Sequence, residues 1–245
     1  DLGVAALPLT LGTGPRVTRA LIPAAGFGTR LFPASKATKK ELFPVVDTDG
    51  IAKPAILLIV EEAIDAGIEE VVVVVQEQDL PDFRSFFTQQ ISIENYNKLP
   101  RHFQDYARRI LEIGRRVSFV TQAAQEGFGH AVFSAREALG EEPFLLMLGD
   151  HLYRSTSAVS CARQLVEAYQ RSGTSVVGLR RTAEGEIGAF GAATGVWLEP
   201  ERLLNITEFA EKPTLDYARA SLRVPGVPDG EYLTVFGQYV IKPQL

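Results

Sequence analysis

Small residues and cations follow a short apolar run near the start of the chain. Residues 20–23 lead into the alanines and glycines of 24–28, Arg30 follows at once, and Lys39 and Lys40 come within ten more residues. Backbone with small side chains can approach a phosphate closely, and its N–H groups can bind phosphate oxygens. The cations can neutralise the charge that develops when phosphorus is attacked. This pattern indicates a site for a phosphorylated small molecule.

Three later clusters offer groups for a base, a metal ion and a sugar phosphate. Gln122 precedes a glycine-containing turn and can both donate to and accept from the edge of a base. Asp150 ends an apolar run, at the strand edge where open α/β sheets bind ligands, and a single carboxylate there suits Mg²⁺. The adjacent Glu211 and Lys212 can accept from sugar hydroxyls and meet a phosphate.

Each cluster also has a plain structural explanation. The glycines after Gln122 fit an ordinary turn before a helix, and Asp150 fits a helix N-cap. Glu211 and Lys212 fit a solvated surface pair. The basic stretch 30–53, with five basic and three acidic residues, fits an exposed loop as well as an anion site.

Hydrophobic patterning predicts a strand–helix–strand unit that would carry the first cluster. A strand is predicted over 17–23 and a helix over 55–66, with Pro54 at its start and Gly67 at its end. The next strand, 70–75, contains five consecutive valines, which indicates burial on both faces as in a parallel sheet.

The rest of the chain alternates between helical and strand patterns and then changes character. Helical stretches are predicted over 81–98, 102–114, 129–138 and 156–171, and strands over 117–121, 144–148, 175–179, 190–198, 203–209 and 232–241. Few helices separate the last three strands. We therefore expect antiparallel strands to be added to a parallel sheet in the last third.

Composition argues against several classes of function. The 245 residues carry a net charge of −5, whereas a general nucleic-acid binder needs a basic face. No apolar run approaches the ~18 residues of a membrane helix. A single cysteine and three scattered histidines offer neither a disulfide framework nor a recognisable metal-ligand spacing. We expect a cytoplasmic enzyme with small-molecule substrates and without nucleic-acid or membrane partners.

Two common phosphate motifs are not matched. A dinucleotide-binding GxGxxG needs a third small residue, but Leu31 and Pro33 follow Arg30. Asp47 lies about 20 residues on, as the acid of such a fold would, so a nicotinamide-dependent oxidoreductase stays open as a minor alternative. The GxxxxGK[ST] phosphate loop is absent from the sequence.

Taken in order, the clusters resemble the bacterial UTP–glucose-1-phosphate uridylyltransferases, within the wider sugar-nucleotide nucleotidyltransferases. The first matching segment is highly specific, and the later ones gain force from their order and spacing. The matching segments are 22–30, 33–37, Lys40-Glu41, Gln122, 127–132, Asp150, Phe190-Gly191, 211–213 and 237–240.

The resemblance implies roles for the residues near the triphosphate. Ala25 and Gly26 would contact the nucleotide through their backbone. Arg30 and Lys40 would hold the triphosphate, with Lys40 as the catalytic lysine, and Asp150 would bind the Mg²⁺ cofactor.

The resemblance also implies contacts to the base and the sugar. Glu41, Gln122 and the backbone of Gly127 would recognise uracil. The sugar phosphate would be held by Gly191 and Glu211 at the glucosyl ring and by Lys212, counted with the catalytic residues, at the phosphate.

The implied fold is α/β, a mixed and mostly parallel Rossmann-like nucleotide-binding sheet flanked by helices. In the implied reaction an oxygen of glucose-1-phosphate attacks the α-phosphorus of UTP in line, and UDP-glucose and pyrophosphate result. Positioning and charge neutralisation supply most of the effect in such transfers. No covalent enzyme intermediate is needed, in keeping with the absence of a recognisable nucleophile–base pair.

The expected organisation is an N-terminal extension or linker over 1–16 and a nucleotidyltransferase domain over 17–245. In the family, a segment after the strand at 237–240 carries an acidic residue that assists the metal and helices used in oligomerisation. The chain stops first. We therefore expect a piece of a longer protein, of uncertain activity by itself, and a homo-oligomer for the full-length parent.

Two positions depart from the family pattern. Lys39 stands where the family usually has proline, so either lysine could point inward. The uridylyltransferases more often have a proline before the metal-binding aspartate, but here Gly149 precedes Asp150 and His151 follows it. A related nucleotidyltransferase for another base or sugar, or a nucleotide-sugar-binding domain without turnover, therefore stays an alternative.

Overall fold

Five consecutive valines form the centre of a parallel sheet in the computed structural model, which describes residues 14–123 and 126–243. Strand β4 (Glu70–Val75) pairs in parallel with β1 (Arg19–Pro23) on one side and with β5 (Val117–Thr121) on the other. Strand β6 (Phe144–Met147) pairs in parallel with β1. Residues 71–75 are fully buried, as expected for an apolar central strand.

The contacts of the chain divide it into two units. The first comprises the residues up to Thr174 and those from Val240, and the second is Ser175–Tyr239. The parallel sheet β5-β4-β1-β6 lies in the first unit.

The second unit is built on antiparallel strands. Its strands are β7 (Val176–Ala183), β8 (Gly191–Glu199), β9 (Leu203–Glu211) and β10 (Glu231–Ile241) up to Tyr239. Strand β8 pairs antiparallel with both β9 and β10, and β7 pairs with β10. The mixed α/β fold, with parallel strands first and antiparallel strands in the last third, is thus confirmed.

Helices cover the parallel sheet. Helix α6 packs on β1 and β4, α3 and α5 pack on β5, and α2 packs on α8. The helices are α1 (Ala34–Ala37), α2 (Ala55–Asp65), α3 (Leu80–Thr88), α4 (Ile93–Lys98), α5 (Arg101–Gly114), α6 (Phe128–Ser134), α7 (Arg136–Leu139), α8 (Cys161–Ser172) and, in the second unit, α9 (Leu215–Ser221).

Three of the predicted helices have different bounds, two of them because a serine caps a helix within the predicted stretch. The stretch 81–98 is two helices, since Gln89 is extended and the Ser92 hydroxyl caps α4 by accepting from the N–H of Asn95. The stretch 129–138 divides between α6 and α7. The helix predicted from residue 156 begins at Cys161, because the Ser160 hydroxyl accepts from the N–H of Arg163 and caps it there.

A small hairpin within residues 44–54 was not predicted. It pairs β2 (Pro44–Val46) with β3 (Ala52–Pro54). The buried Lys53 ammonium holds it, at 2.5 Å from the Asp47 carboxylate, 2.9 Å from that of Asp49 and 3.5 Å from that of Glu61 on α2. Asp47, the acid that a dinucleotide site would need, is therefore used in this cluster.

Parts of the predicted N-terminal extension and chain end, residues 1–13 and 244–245, lie outside the described residues. Within 14–123 and 126–243, none of the helices combines the length and the apolarity required to cross a bilayer.

Candidate active site

The strands of the parallel sheet end together and bring the predicted nucleotide residues to one edge. Ala24 follows β1 and donates its N–H to the carbonyl of Val74 on β4. Gln122 follows β5 and donates its N–H to the carbonyl of Val75. Asp150 comes shortly after β6. This carboxyl edge is where open α/β sheets bind their ligands.

The glycine-rich segment after β1 lies against the side chain of Lys40. A Cβ atom placed on Gly26 would be 3.7 Å from the Lys40 Nζ, and one on Gly28 would be 3.2 Å from its Cδ. Gly28 also has φ +74, a left-handed conformation that favours glycine. The segment therefore leaves room for the lysine as well as for a ligand.

The two adjacent lysines point to different partners. Lys40 Nζ lies 2.6 Å from Asp150 Oδ2, with both side chains mostly buried. Lys39 Nζ lies 2.7 Å from Asp79 Oδ2, in the turn that follows β4. The lysine directed toward Asp150 is therefore Lys40. Lys39 instead joins the segment after β1 to the turn after β4.

Asp150 is held as a carboxylate. Burial is the largest single effect and raises its pKa, but the hydrogen bond and charge of Lys40, together with His151 and the backbone, bring the pKa below its ordinary value. Asp150 does not cap a helix, since the next helix begins at Cys161 with Ser160 as its cap. Gly149 is required beside it, because a Cβ there would lie 2.6 Å from the carbonyl oxygen of Pro23.

Glu41 is buried next to this pair. Its side chain is 1% exposed, its Oε1 lies 3.6 Å from Lys40 Nζ, and its Oε2 has no hydrogen-bond partner among the described residues. Burial raises the pKa of Glu41 to about 7, against the lowering effects of its own backbone and of Lys40. Near neutral pH this side chain can therefore be a protonated carboxyl, which both donates and accepts.

A divalent cation at this edge would meet Asp150. Within the part of the chain that the structure describes, no group of three or more His, Cys, Asp or Glu side chains could hold a metal ion. Mg²⁺ commonly takes one or two carboxylates and completes its shell with phosphate oxygens and water. The ionised Asp150 fits an ion that arrives with a triphosphate.

The predicted base contacts lie in one network. Gln122 is buried, and its Nε2 lies 2.9 Å from His130 Nδ1 and 3.4 Å from the carbonyl oxygen of Gly127. Gly127 has φ +95 at the start of α6. The glycine turn that the sequence predicted before a helix is thus present, and the Gln122 side chain is hydrogen-bonded to its Gly127 carbonyl.

Arg30 lies apart from these pairs. It is exposed on the turn Thr29–Leu31 and makes no hydrogen bond or ion pair with residues 14–123 or 126–243. Its contact with a triphosphate stays a prediction.

The predicted sugar-phosphate residues lie in the second unit. Gly191 on β8 pairs with Glu211 on β9, and a Cβ on Gly191 would lie 3.0 Å from Glu211 Oε2 and 2.6 Å from Cζ of Phe209. Lys212 has φ +46, and its Nζ lies 3.8 Å from Glu211 Oε1. Both charged side chains are about two-thirds exposed, at 67% and 63%, so they are available to a ligand but also fit a solvated pair.

Sequence reasoning missed three supporting residues. Gln76 donates to the carbonyl of Ala25 at 2.5 Å, Asp79 binds Lys39, and His130 binds Gln122. Gln76 could have been found, because it directly follows the valine strand at the edge already singled out. His130 lies in the matching segment 127–132, but its contact with Gln122 was not predicted, and Asp79 carries no comparable signal because its partner is known only from the fold.

Known proteins resemble this chain over most of its length. A family model described as Nucleotidyl transferase matches residues 19–245. UTP–glucose-1-phosphate uridylyltransferase 2 of Staphylococcus saprophyticus is 33% identical over 236 residues, which are 94% of this chain and 73% of that protein. UTP–glucose-1-phosphate uridylyltransferase of Streptococcus pneumoniae is 32% identical over 233 residues, 94% of this chain and 72% of that protein.

A solved structure also resembles this chain over most of its length. UDP-glucose pyrophosphorylase complexed with UDP-glucose superposes with a TM-score of 0.74 at 31% identity, over 93% of this chain and 76% of that one. The resemblance to UTP–glucose-1-phosphate uridylyltransferases is thereby confirmed. The chain belongs to the nucleotidyl transferase family.

Proposed function

We propose that this chain transfers the uridylyl group of UTP to glucose-1-phosphate, giving UDP-glucose and pyrophosphate. The observation that carries the proposal is the Lys40–Asp150 pair at 2.6 Å, beside the glycine-rich segment at the carboxyl edge of a parallel sheet. The pair combines a cation for phosphate oxygens with an ionised carboxylate for a metal ion. The relatives, which are uridylyltransferases by name, support the choice of substrates.

The reaction needs two anions to be held together against their repulsion. A phosphate oxygen of the sugar phosphate attacks the α-phosphorus, and the bond to the pyrophosphate oxygen breaks. Lys40 and Arg30 would neutralise charge on the triphosphate, and the backbone of Ala25 and Gly26 would lie against it. A bound Mg²⁺ would neutralise further phosphate charge, with Asp150 as its protein ligand.

The other groups would bind and orient the substrates. Gln122, Glu41 and the Gly127 backbone would recognise uracil, and the raised pKa of Glu41 allows it to donate as well as accept. Glu211 would accept from the glucosyl hydroxyls beside Gly191, and Lys212 would meet the sugar phosphate.

We further propose the domain assignment of residues 17–245 to the transferase and 1–16 to an extension, together with a cytoplasmic location. A homo-oligomer also stays a prediction.

A substrate matrix tests the function. Pyrophosphate release is measured with each of several nucleoside triphosphates against each of several sugar-1-phosphates, in the presence of Mg²⁺. We expect the highest rate for UTP with glucose-1-phosphate. An Asp150→Asn variant, whose rate should be lower by about tenfold or more, is the control. A higher rate for another pair would replace the substrates and keep the reaction class.

A second measurement separates catalysis from binding alone. Calorimetry with UDP-glucose should show binding in the same protein. If the protein binds UDP-glucose but releases no pyrophosphate with any combination of nucleoside triphosphate and sugar-1-phosphate, the result would instead support a nucleotide-sugar-binding domain.

A further inference from the structure

The orientation of the Gln122 amide follows from what surrounds it. A carbonyl oxygen can only accept, so the group at 3.4 Å from the Gly127 oxygen must be the amide nitrogen. The same nitrogen lies 2.9 Å from His130 Nδ1, which must then accept as well. Nδ1 then carries no proton, so the N–H of the ring is on Nε2, which lies 3.9 Å from the Glu126 carboxylate.

In this arrangement both N–H groups of the Gln122 amide are directed to partners within the protein. Its two amide hydrogens face the His130 ring and the Gly127 carbonyl. Its Oε1 accepts no hydrogen bond from the described residues. The oxygen is therefore the part of the side chain that is left for a ligand.

A free acceptor distinguishes pyrimidines by the atom at position 3 of the ring. Uracil and thymine carry an N3–H donor there, and cytosine carries an unprotonated nitrogen that only accepts. Opposing two acceptors leaves both without a partner, which a buried site penalises strongly. Gln122 held in this orientation would therefore favour uracil over cytosine.

We propose that His130 is a positioning residue for base specificity, which holds the Gln122 amide with its oxygen toward the base. The proposal rests on the proposed function for the presence of a pyrimidine nucleotide at this edge. Without the acceptor at Nδ1, the amide can turn by 180° and present its nitrogen, which suits the N3 of cytosine. His130 acts only through Gln122 and touches no reacting atom.

The test compares two substitutions that differ in the acceptor. His130→Leu removes it, and His130→Asn supplies an amide oxygen near the position of Nδ1. For each protein, kcat/KM is measured for UTP and for CTP with glucose-1-phosphate. We expect the UTP-to-CTP ratio to fall about tenfold in His130→Leu, as for one hydrogen bond of ordinary strength, and to recover in His130→Asn.

The readout separates specificity from a loss of structure, because unfolding lowers both rates and leaves their ratio unchanged. His130 is 29% exposed, so substitutions there are expected to fold, and thermal unfolding checks each one. His130→Ala is measured alongside as a second protein without the acceptor. An unchanged ratio in folded His130→Leu and His130→Ala would overturn the proposal, whatever the absolute rates.

A binding measurement keeps the test independent of turnover. The affinities for UDP-glucose and CDP-glucose are compared by calorimetry in the same proteins, and the same change in ratio is expected. If the unchanged protein turns over no substrate but prefers UDP-glucose, and His130→Leu loses that preference, the proposed catalysis fails and the role of His130 holds. If turnover with UTP is normal and both ratios stay constant in the His130 variants, the proposed catalysis holds and the role of His130 fails.

Discussion

Lys40 and Asp150 form an ion pair at 2.6 Å that joins the segment after β1 to the segment after β6. Burial raises the pKa of this aspartate, but the hydrogen bond and charge of Lys40, together with smaller effects of His151 and the backbone, lower it below its ordinary value, so the aspartate is ionised. A triphosphate that enters must share this ammonium with the carboxylate. A metal ion on Asp150 would offset the lost attraction, so nucleotide and metal are expected to bind together.

Removing either member of the pair should slow catalysis. We expect Lys40→Ala and Asp150→Asn each to lower the rate of pyrophosphate release by about tenfold or more, because each supplies charge at the developing transition state. Lys98→Ala, which removes an exposed lysine on α4, is the matched control. Near-normal rates in both site variants would contradict the site assignment.

Lys39 should contribute to stability through Asp79. Both side chains are nearly buried, at 11% and 12% exposure, so removing one leaves the other without its partner. We expect Lys39→Met to lower the free energy of unfolding by about 1–3 kcal/mol, measured with urea. The double variant Lys39→Met/Asp79→Leu should recover most of the loss. Equal losses in the single and double variants would mean that the ion pair is not the cause.

Gly26 allows a test of close approach by the nucleotide. A methyl group there would lie at an ordinary contact distance of 3.7 Å from Lys40 Nζ, and no unusual φ opposes it. We expect Gly26→Ala to unfold within about 0.5 kcal/mol of the unchanged protein but to raise the KM for UTP by about tenfold. Gly185→Ala, at an open position in the second unit, is the control for both measurements. An unchanged KM would remove Gly26 from the binding site.

Glu41 should make stability depend on pH in a particular direction. Its pKa rises from an ordinary 4.5 to about 7 on folding, so the folded protein binds a proton that the unfolded chain has lost between these values. Stability from this group is complete below pH 4.5 and is lost as the pH rises through 7. We expect Glu41→Gln to gain about 1–3 kcal/mol relative to the unchanged protein between pH 5 and pH 8.

Urea unfolding at pH 5, 6.5 and 8 measures this change. Glu94→Gln, at a carboxylate on the exposed face of α4, is the control and should show no such trend. A pH-independent difference between Glu41→Gln and the unchanged protein would contradict the raised pKa.

Much of the fold was predictable because strand burial leaves a strong pattern. The valines of β4 predicted a central parallel strand, and the positions directly after strands predicted where Gln122 and Asp150 would meet a ligand. The family resemblance favoured Lys40 over Lys39, but the local sequence did not decide between them, because the choice depends on partners more than 35 residues away in sequence. The break between α3 and α4 was missed because an apolar stripe hides the Ser92 cap.

The cluster around Lys53 has a consequence for chemical labelling. Burial opposes its charge, but the hydrogen bonds to Asp47 and Asp49 raise its pKa above the ordinary value, so the amine lacks the free lone pair that acylating reagents attack. Exposed amines such as Lys98 should react readily. In a mass-spectrometric footprint, Lys53 would then serve as an internal unreactive reference, against which the protection of Lys40 by UTP can be scaled.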